Sequence, residues 1–222
     1  MIISENKQDV AVCGNFKTSG FKIQASSKAF DILSSNIYTH KVRAVVREIS
    51  CNAVDSHKAA GTTTPIKVHL PTTLEPHFAV RDYGTGLSDE DVREIFTTYF
   101  CSTKTSSNDF VGALGLGSKS PFCLVDSFTV TSFYNGAKSL YSCYRDENGE
   151  PQVALLTTED TDEFNGVEVS LSVENNLIQE FADEAAYVYQ YFDQMPNINK
   201  QSVVDHIHEY RNKIILDTED VC

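Results

Sequence analysis

The sequence predicts an α+β fold, with helices packed on one face of a mostly antiparallel sheet. Three observations predict it. A long helical pattern, residues 41–60, stands early in the chain. A run of alternating segments follows, punctuated by Asn135-Gly136 and Asn148-Gly149, the strongest short turn signals. Helical patterns then return at 177–192 and 202–216.

Taken in order, the first 25 residues alternate weakly and break at Gly14 and Gly20, which predicts one or two edge strands. Residues 27–37 read as a short helix. Residues 41–60 read as a long one, closed by Gly61 at the usual left-handed cap. Ile66 to Leu70 alternates as a strand, 71–76 is a turn, and 77–81 is a second strand running into Asp82-Tyr83-Gly84-Thr85-Gly86. Ser88 with Asp91 predicts a capped helix start, continuing to about Tyr99. Residues 100–112 are polar and without period, a functional length of loop. Strands are expected at 127–134, 138–145, 152–158 and 166–173. The domain reading is an amino-terminal arm or strands over 1–24, one α+β domain over 25–175, and a helical extension over 176–222.

Composition narrows the function classes. Of the 222 residues, 41% are hydrophobic and 22% charged, which excludes collagen, long coiled coil and wholesale disorder. The formal charge of −13 repels a phosphate backbone, so non-specific nucleic-acid binding is not expected. The cysteines at 13, 51, 101, 123, 143 and 222 show no metal spacing, and a chain of this length needs no disulfide staples. The start, MIISENKQDV, has no basic and apolar leader pattern, and no apolar run reaches a membrane span. The expectation is a soluble, reduced, cytosolic protein.

Three motifs carry chemistry. Glu48, Asn52 and Asp55 stand at i, i+4 and i+7, within a ~60° sector of a helix. Val42, Val46, Ile49 and Ala53 occupy another side and bury against a sheet. A solvated helix face accounts for the same triplet. Asp82 ends a strand, where a carboxylate accepts from an exocyclic amine, and Gly84 and Gly86 let backbone approach a flat ligand. A tight turn with an Asx bond is the plainer account. Gly112, Gly115 and Gly117 free backbone N–H groups for phosphate oxygens, or act as a hinge. The segment misses the P-loop, since Ser118 stands where the lysine belongs, one place before Lys119.

The order E-x-x-x-N-x-x-D on a helix, D-x-G-x-G after a strand, then G-x-x-G-x-G and antiparallel strands resembles the GHKL ATP-binding superfamily of gyrase B, MutL, the large heat-shock chaperone and histidine kinases. The resemblance spans about 25–175 and implies a Bergerat-type two-layer sandwich with ATP and Mg²⁺ as cofactors. It implies that Glu48 is the general base, that Asn52 binds Mg²⁺ and that Asp55 lines the pocket. It implies that Asp82 accepts from the adenine amino group, with Gly84 and Gly86 close to the ring. Residues from about 99 to 120 would form the lid, with Lys104 in a lid segment and Gly112, Gly115, Leu116, Gly117 and Ser118 cradling the phosphates. Glu48 favours the hydrolase branch over the kinases, which commonly lack this base.

Within the superfamily, KVRAVVRE, SNDFVGALGLGSKSPF and ILSSNIYTHK resemble the amino-terminal region of the rIIA lysis-inhibition proteins of T-even bacteriophages. That resemblance implies a role in lysis inhibition and escape from host exclusion, an rIIB-type partner, and a place in the host cytoplasm or peripherally at the inner membrane. The superfamily resemblance also implies homodimerisation on nucleotide binding. A nucleotide-binding switch or scaffold that scarcely hydrolyses is the alternative. Two departures matter. Gly166-Val167 stands where many members carry Gly-Thr, which loosens adenine selectivity, and 176–222 is too short to supply the usual second-domain lysine. Slow turnover is therefore expected.

Lesser candidates read as structure. His206 and His208 diverge on a helix, and Glu159 to Glu163 is a solvated acidic run. Cys51 is expected as a small buried residue, and Tyr187, Tyr189, Tyr191 and Phe192 as core, with an interface as their alternative.

Overall fold

The computed structural model describes residues 26–33, 38–98 and 117–219. The expected strands in the first 25 residues lie outside them, as does most of the expected lid. Helix α1 (Ser27–Asp31) is capped by Ser26, whose Oγ accepts from the Ala29 N–H. It is shorter than the predicted 27–37, of which 34–37 are not among the described residues.

Helix α2 (Lys41–Ala60) has the predicted bounds. It contains no glycine or proline, and Gly61 ends it at φ 67° with its N–H turned back on the His57 and Lys58 carbonyls. Its apolar side, including Val42, Val45, Val46, Ile49 and Ala53, is buried. Each full burial of a valine or isoleucine side chain is worth roughly 1.5–3 kcal/mol, so this face anchors the helix whatever its polar stripe does.

The sheet has seven strands in the order β5-β4-β3-β6-β2-β1-β7. These are β1 (Lys67–His69), β2 (His77–Arg81), β3 (Ser127–Tyr134), β4 (Ala137–Arg145), β5 (Pro151–Asp160), β6 (Gly166–Ser172) and β7 (Asn197–Ile198). All neighbours are antiparallel except β1 and β7. One apolar row crosses every strand: Ile198, Val68, Val80, Val169, Val130, Tyr141 and Leu155 are successive cross-strand partners. Val68, Val80, Val130 and Tyr141 of that row are buried, Val169 is half-buried and its end, Leu155, is exposed, because the helices cover the middle of the sheet and not the β5 edge. Asn135 and Gly136 both take positive φ, the type I′ geometry that matches strand twist.

The capping box at Ser88 and Asp91 forms as predicted and opens α3 (Asp89–Asp91). The long helix expected after it does not. Residues Val92–Phe96 widen into a π-helix. The Thr97 and Thr98 hydroxyls donate to the Arg93 and Glu94 carbonyls, competing with the backbone ladder there.

Helix α4 (Ile178–Tyr189) packs on α2, where the Tyr189 and Ser50 hydroxyls share a buried hydrogen bond of 2.9 Å and Arg43 pairs with Glu184 at 2.6 Å. Helix α5 (Gln201–Glu219) seats Val203 and Ile207 in the same core. The architecture is the predicted α+β sandwich. Cys51, Cys123 and Cys143 are not in disulfides. Among the described residues no helix is long and apolar enough to cross a membrane.

Candidate functional site

Three pieces of chain meet at one side of α2. The helix brings Glu48 and Asn52, both half-buried, one turn apart. Asp55 continues the stripe but is fully buried.

The turn after β2 is gripped by the last turns of α2. Asp82 Oδ1 accepts from the Gly84 N–H at 2.8 Å and from the Ser56 hydroxyl at 3.1 Å. The Tyr83 N–H donates to His57 Nε2 at 2.7 Å. Gly84 lies so close over Ser56 that a Cβ there would collide with that residue's backbone. Gly86 adopts φ 74°, and a Cβ on it would strike the Phe133 carbonyl. Here glycine is required twice, once for space and once for backbone sign.

Asp82 is 4% exposed, and burial raises its carboxyl to about 6 against the opposing pull of those hydrogen bonds and of Arg81. Beside it, Gly166 packs on the Asp82 carbonyl, and the Asp82 N–H donates to the Val167 carbonyl at 2.8 Å. The backbone of the Gly166-Val167 pair therefore stands next to Asp82.

The third piece begins a short 3-10 helix, Gly117–Cys123. A Cβ on Gly117 would stand 2.8 Å from Glu48 Oε2 and 3.2 Å from Asn52 Nδ2. The glycine backbone is thus in direct apposition to the carboxylate and amide of α2. Ser118 spends its hydroxyl on the Phe96 carbonyl at 3.2 Å, and the buried Lys119 donates Nζ to the Thr98 carbonyl at 2.8 Å. Lys104, Gly112, Gly115 and Leu116 lie outside the described residues.

The convergence of helix stripe, strand tip and glycine backbone has a match in sequence comparison. A family model described as histidine kinase-, DNA gyrase B- and HSP90-like ATPase matches residues 38–175. The chain belongs to that ATPase family. The matched span of this GHKL-type domain contains all three pieces of the site. No curated protein matches the chain.

Sequence reasoning missed four residues that hold the site together. Ser56 and His57 were masked by their ordinary places on a helix. Arg81 ends an otherwise apolar strand, and that was the available signal. Its guanidinium lies 3.8 Å from the Phe133 ring centroid, donates to the Asp82 carbonyl and reaches the Phe164 carbonyl at 2.7 Å. Lys119 read only as a failed P-loop lysine.

Two expectations about α2 and its neighbours need correction. Cys51 is half-buried rather than core. Tyr189 is core, but Tyr187 and Tyr191 are 42% and 64% exposed. All but Tyr189 line a groove of about 830 Å³ that contains none of Glu48, Asn52, Asp82, Gly84, Gly86 or Gly117. The motif geometry marks the candidate site, and this groove is a separate feature.

Proposed function

We propose that the chain binds ATP with Mg²⁺ and hydrolyses it slowly. The apposition of Gly117 to Glu48 and Asn52 carries the reading, because it puts a carboxylate, an amide and phosphate-binding backbone in one place. The Gly84 and Ser56 donors both land on Oδ1 of the Asp82 carboxylate, and this carboxylate accepts from an adenine amino group, while Gly84 and Gly86 keep side chains off the ring plane. Glu48 orients the attacking water and takes its proton. The backbone from Gly112 to Ser118 donates to the phosphate oxygens as charge develops.

The Asn52 amide oxygen suits a hard cation. An ion here would be held by the Asn52 amide oxygen and the nucleotide phosphates. Mg²⁺ would supply charge neutralisation across the phosphates.

A second reading has its own observation. Glu48 Oε1 is held by Arg47 Nη2 at 2.5 Å, so one oxygen of the base is already engaged. That favours a nucleotide switch that scarcely turns over. The resemblance to rIIA-type phage proteins supports a setting in lysis inhibition, with an rIIB-type partner, peripheral contact with the host inner membrane and nucleotide-driven dimerisation.

Single-turnover hydrolysis beside binding calorimetry tests the reading. Glu48→Ala is expected to keep ATP affinity and lose roughly 10²–10⁴ in rate, the usual worth of a general base. Binding without any wild-type hydrolysis would leave only the switch, and absence of binding would remove both.

A further inference from the structure

A groove lies between α2 and α4, lined on the α2 side by Arg43, Arg47, Cys51, Val54 and Lys58. At about 830 Å³ it is in the size range of small-molecule sites. Val54, Ile66, Val188 and Phe192 give it an apolar floor. Tyr187 and Tyr191 form an exposed aromatic wall, with ring centroids 5.8 Å apart and edge-on.

Bases outnumber acids among the lining residues, and Glu184 and Glu48 pair with two of those bases from outside the lining. Acids outnumber bases 31 to 18 overall, yet the lining carries Arg43, Arg47 and Lys58 against a single carboxylate, Asp193. Arg43 is stacked 4.0 Å over Tyr187 and committed to Glu184. Arg47 is different. Its side chain is 57% exposed, and its described bond engages Nη2 alone, on Glu48. A guanidinium has five donors, and a solvent-exposed ion pair exchanges readily.

We propose that this groove binds a small anionic ligand with a flat apolar body, and that the ligand's anion takes Arg47 away from Glu48. The apolar body lies on the floor between α2 and the aromatic wall. The anion meets Arg47 at the mouth. Glu48 then has both oxygens available to water, so the occupied protein turns over faster than the empty one. The second half of the proposal rests on the reading of Glu48 as the base, and the first half does not.

Anilinonaphthalene sulfonate is a suitable probe, and N-phenylnaphthylamine is its analogue without the anion. Fluorescence titration of the full chain is expected to show one saturable sulfonate site. Tyr191→Ala and Arg47→Gln, both exposed positions, are each expected to weaken it roughly tenfold, the loss of one good contact. The uncharged analogue should bind the wild type and Arg47→Gln alike. Sulfonate affinity unchanged in both variants would overturn the site. The ¹³C shift of the Glu48 carboxylate, followed during the titration, reads the exchange without ATP, and a shift that does not move would overturn the exchange. Single-turnover hydrolysis should rise with the sulfonate and not with the analogue. Loss of ATP binding altogether would instead show as an absent nucleotide isotherm with the sulfonate site intact.

Discussion

His57 accepts the backbone N–H of Tyr83 through Nε2, so the ring is neutral with its proton on Nδ1. Burial, and after it the charge of Arg81, holds its pKa below the ordinary 6.5. A depressed pKa gives stability that is present above the unfolded value and lost as pH falls through the folded one. His57→Gln keeps an acceptor near Nε2 but does not titrate. In urea unfolding, the wild type is expected to lose ground to His57→Gln as pH falls below the ordinary histidine pKa of about 6.5. A difference that stays flat below that pKa would show that the ring does not hold the turn as a neutral acceptor.

Asp82 has the opposite sign. Its carboxyl is raised to about 6, so its contribution is complete below the unfolded value and lost as pH rises through about 6. The ionised form at pH 8 therefore costs on the order of 3 kcal/mol relative to an unshifted carboxyl. Asp82→Asn keeps an oxygen for the Gly84 and Ser56 donors and carries no charge. Its stability relative to wild type should improve from pH 4 to pH 8 by up to that amount. The same substitution should weaken ATP binding roughly 10–100-fold, the worth of one charge-assisted hydrogen bond. A variant that is neither stabilised at pH 8 nor impaired in binding would contradict both the burial and the role.

Gly117→Ala probes the meeting of the glycine backbone with α2. The new methyl would press on the Glu48 carboxylate end, which is flexible and moves at little cost. Stability should change little. Hydrolysis should fall by up to about 10²-fold, as it does when a reacting group is displaced by an ångström. Full activity in this variant would mean that Glu48 and Gly117 do not work together.

Much of this was legible along the chain because the signals are local. The bounds of α2 follow from its apolar period and Gly61, and the β3–β4 hairpin from Asn135-Gly136. Glu48, Asn52, Asp82 and the glycines were found through their spacing. The π-helix at Val92–Phe96 was not legible, since it depends on threonine hydroxyls competing for carbonyls that only a formed turn presents.

By itself the sequence determined the sandwich and the three motif segments, because periodicity, caps and turn residues act within a few positions of one another. Tertiary structure decided which residues fasten those segments together. Ser56, His57 and Arg81 lie on elements whose local patterns give them no special role, and they acquire one only when α2 packs beside the end of β2. It also decided that Arg47 faces both Glu48 and a groove built with α4, across an interval of chain that no local pattern spans. Contacts of that kind depend on where a fold brings surfaces together in space, and spacing in sequence carries no record of it.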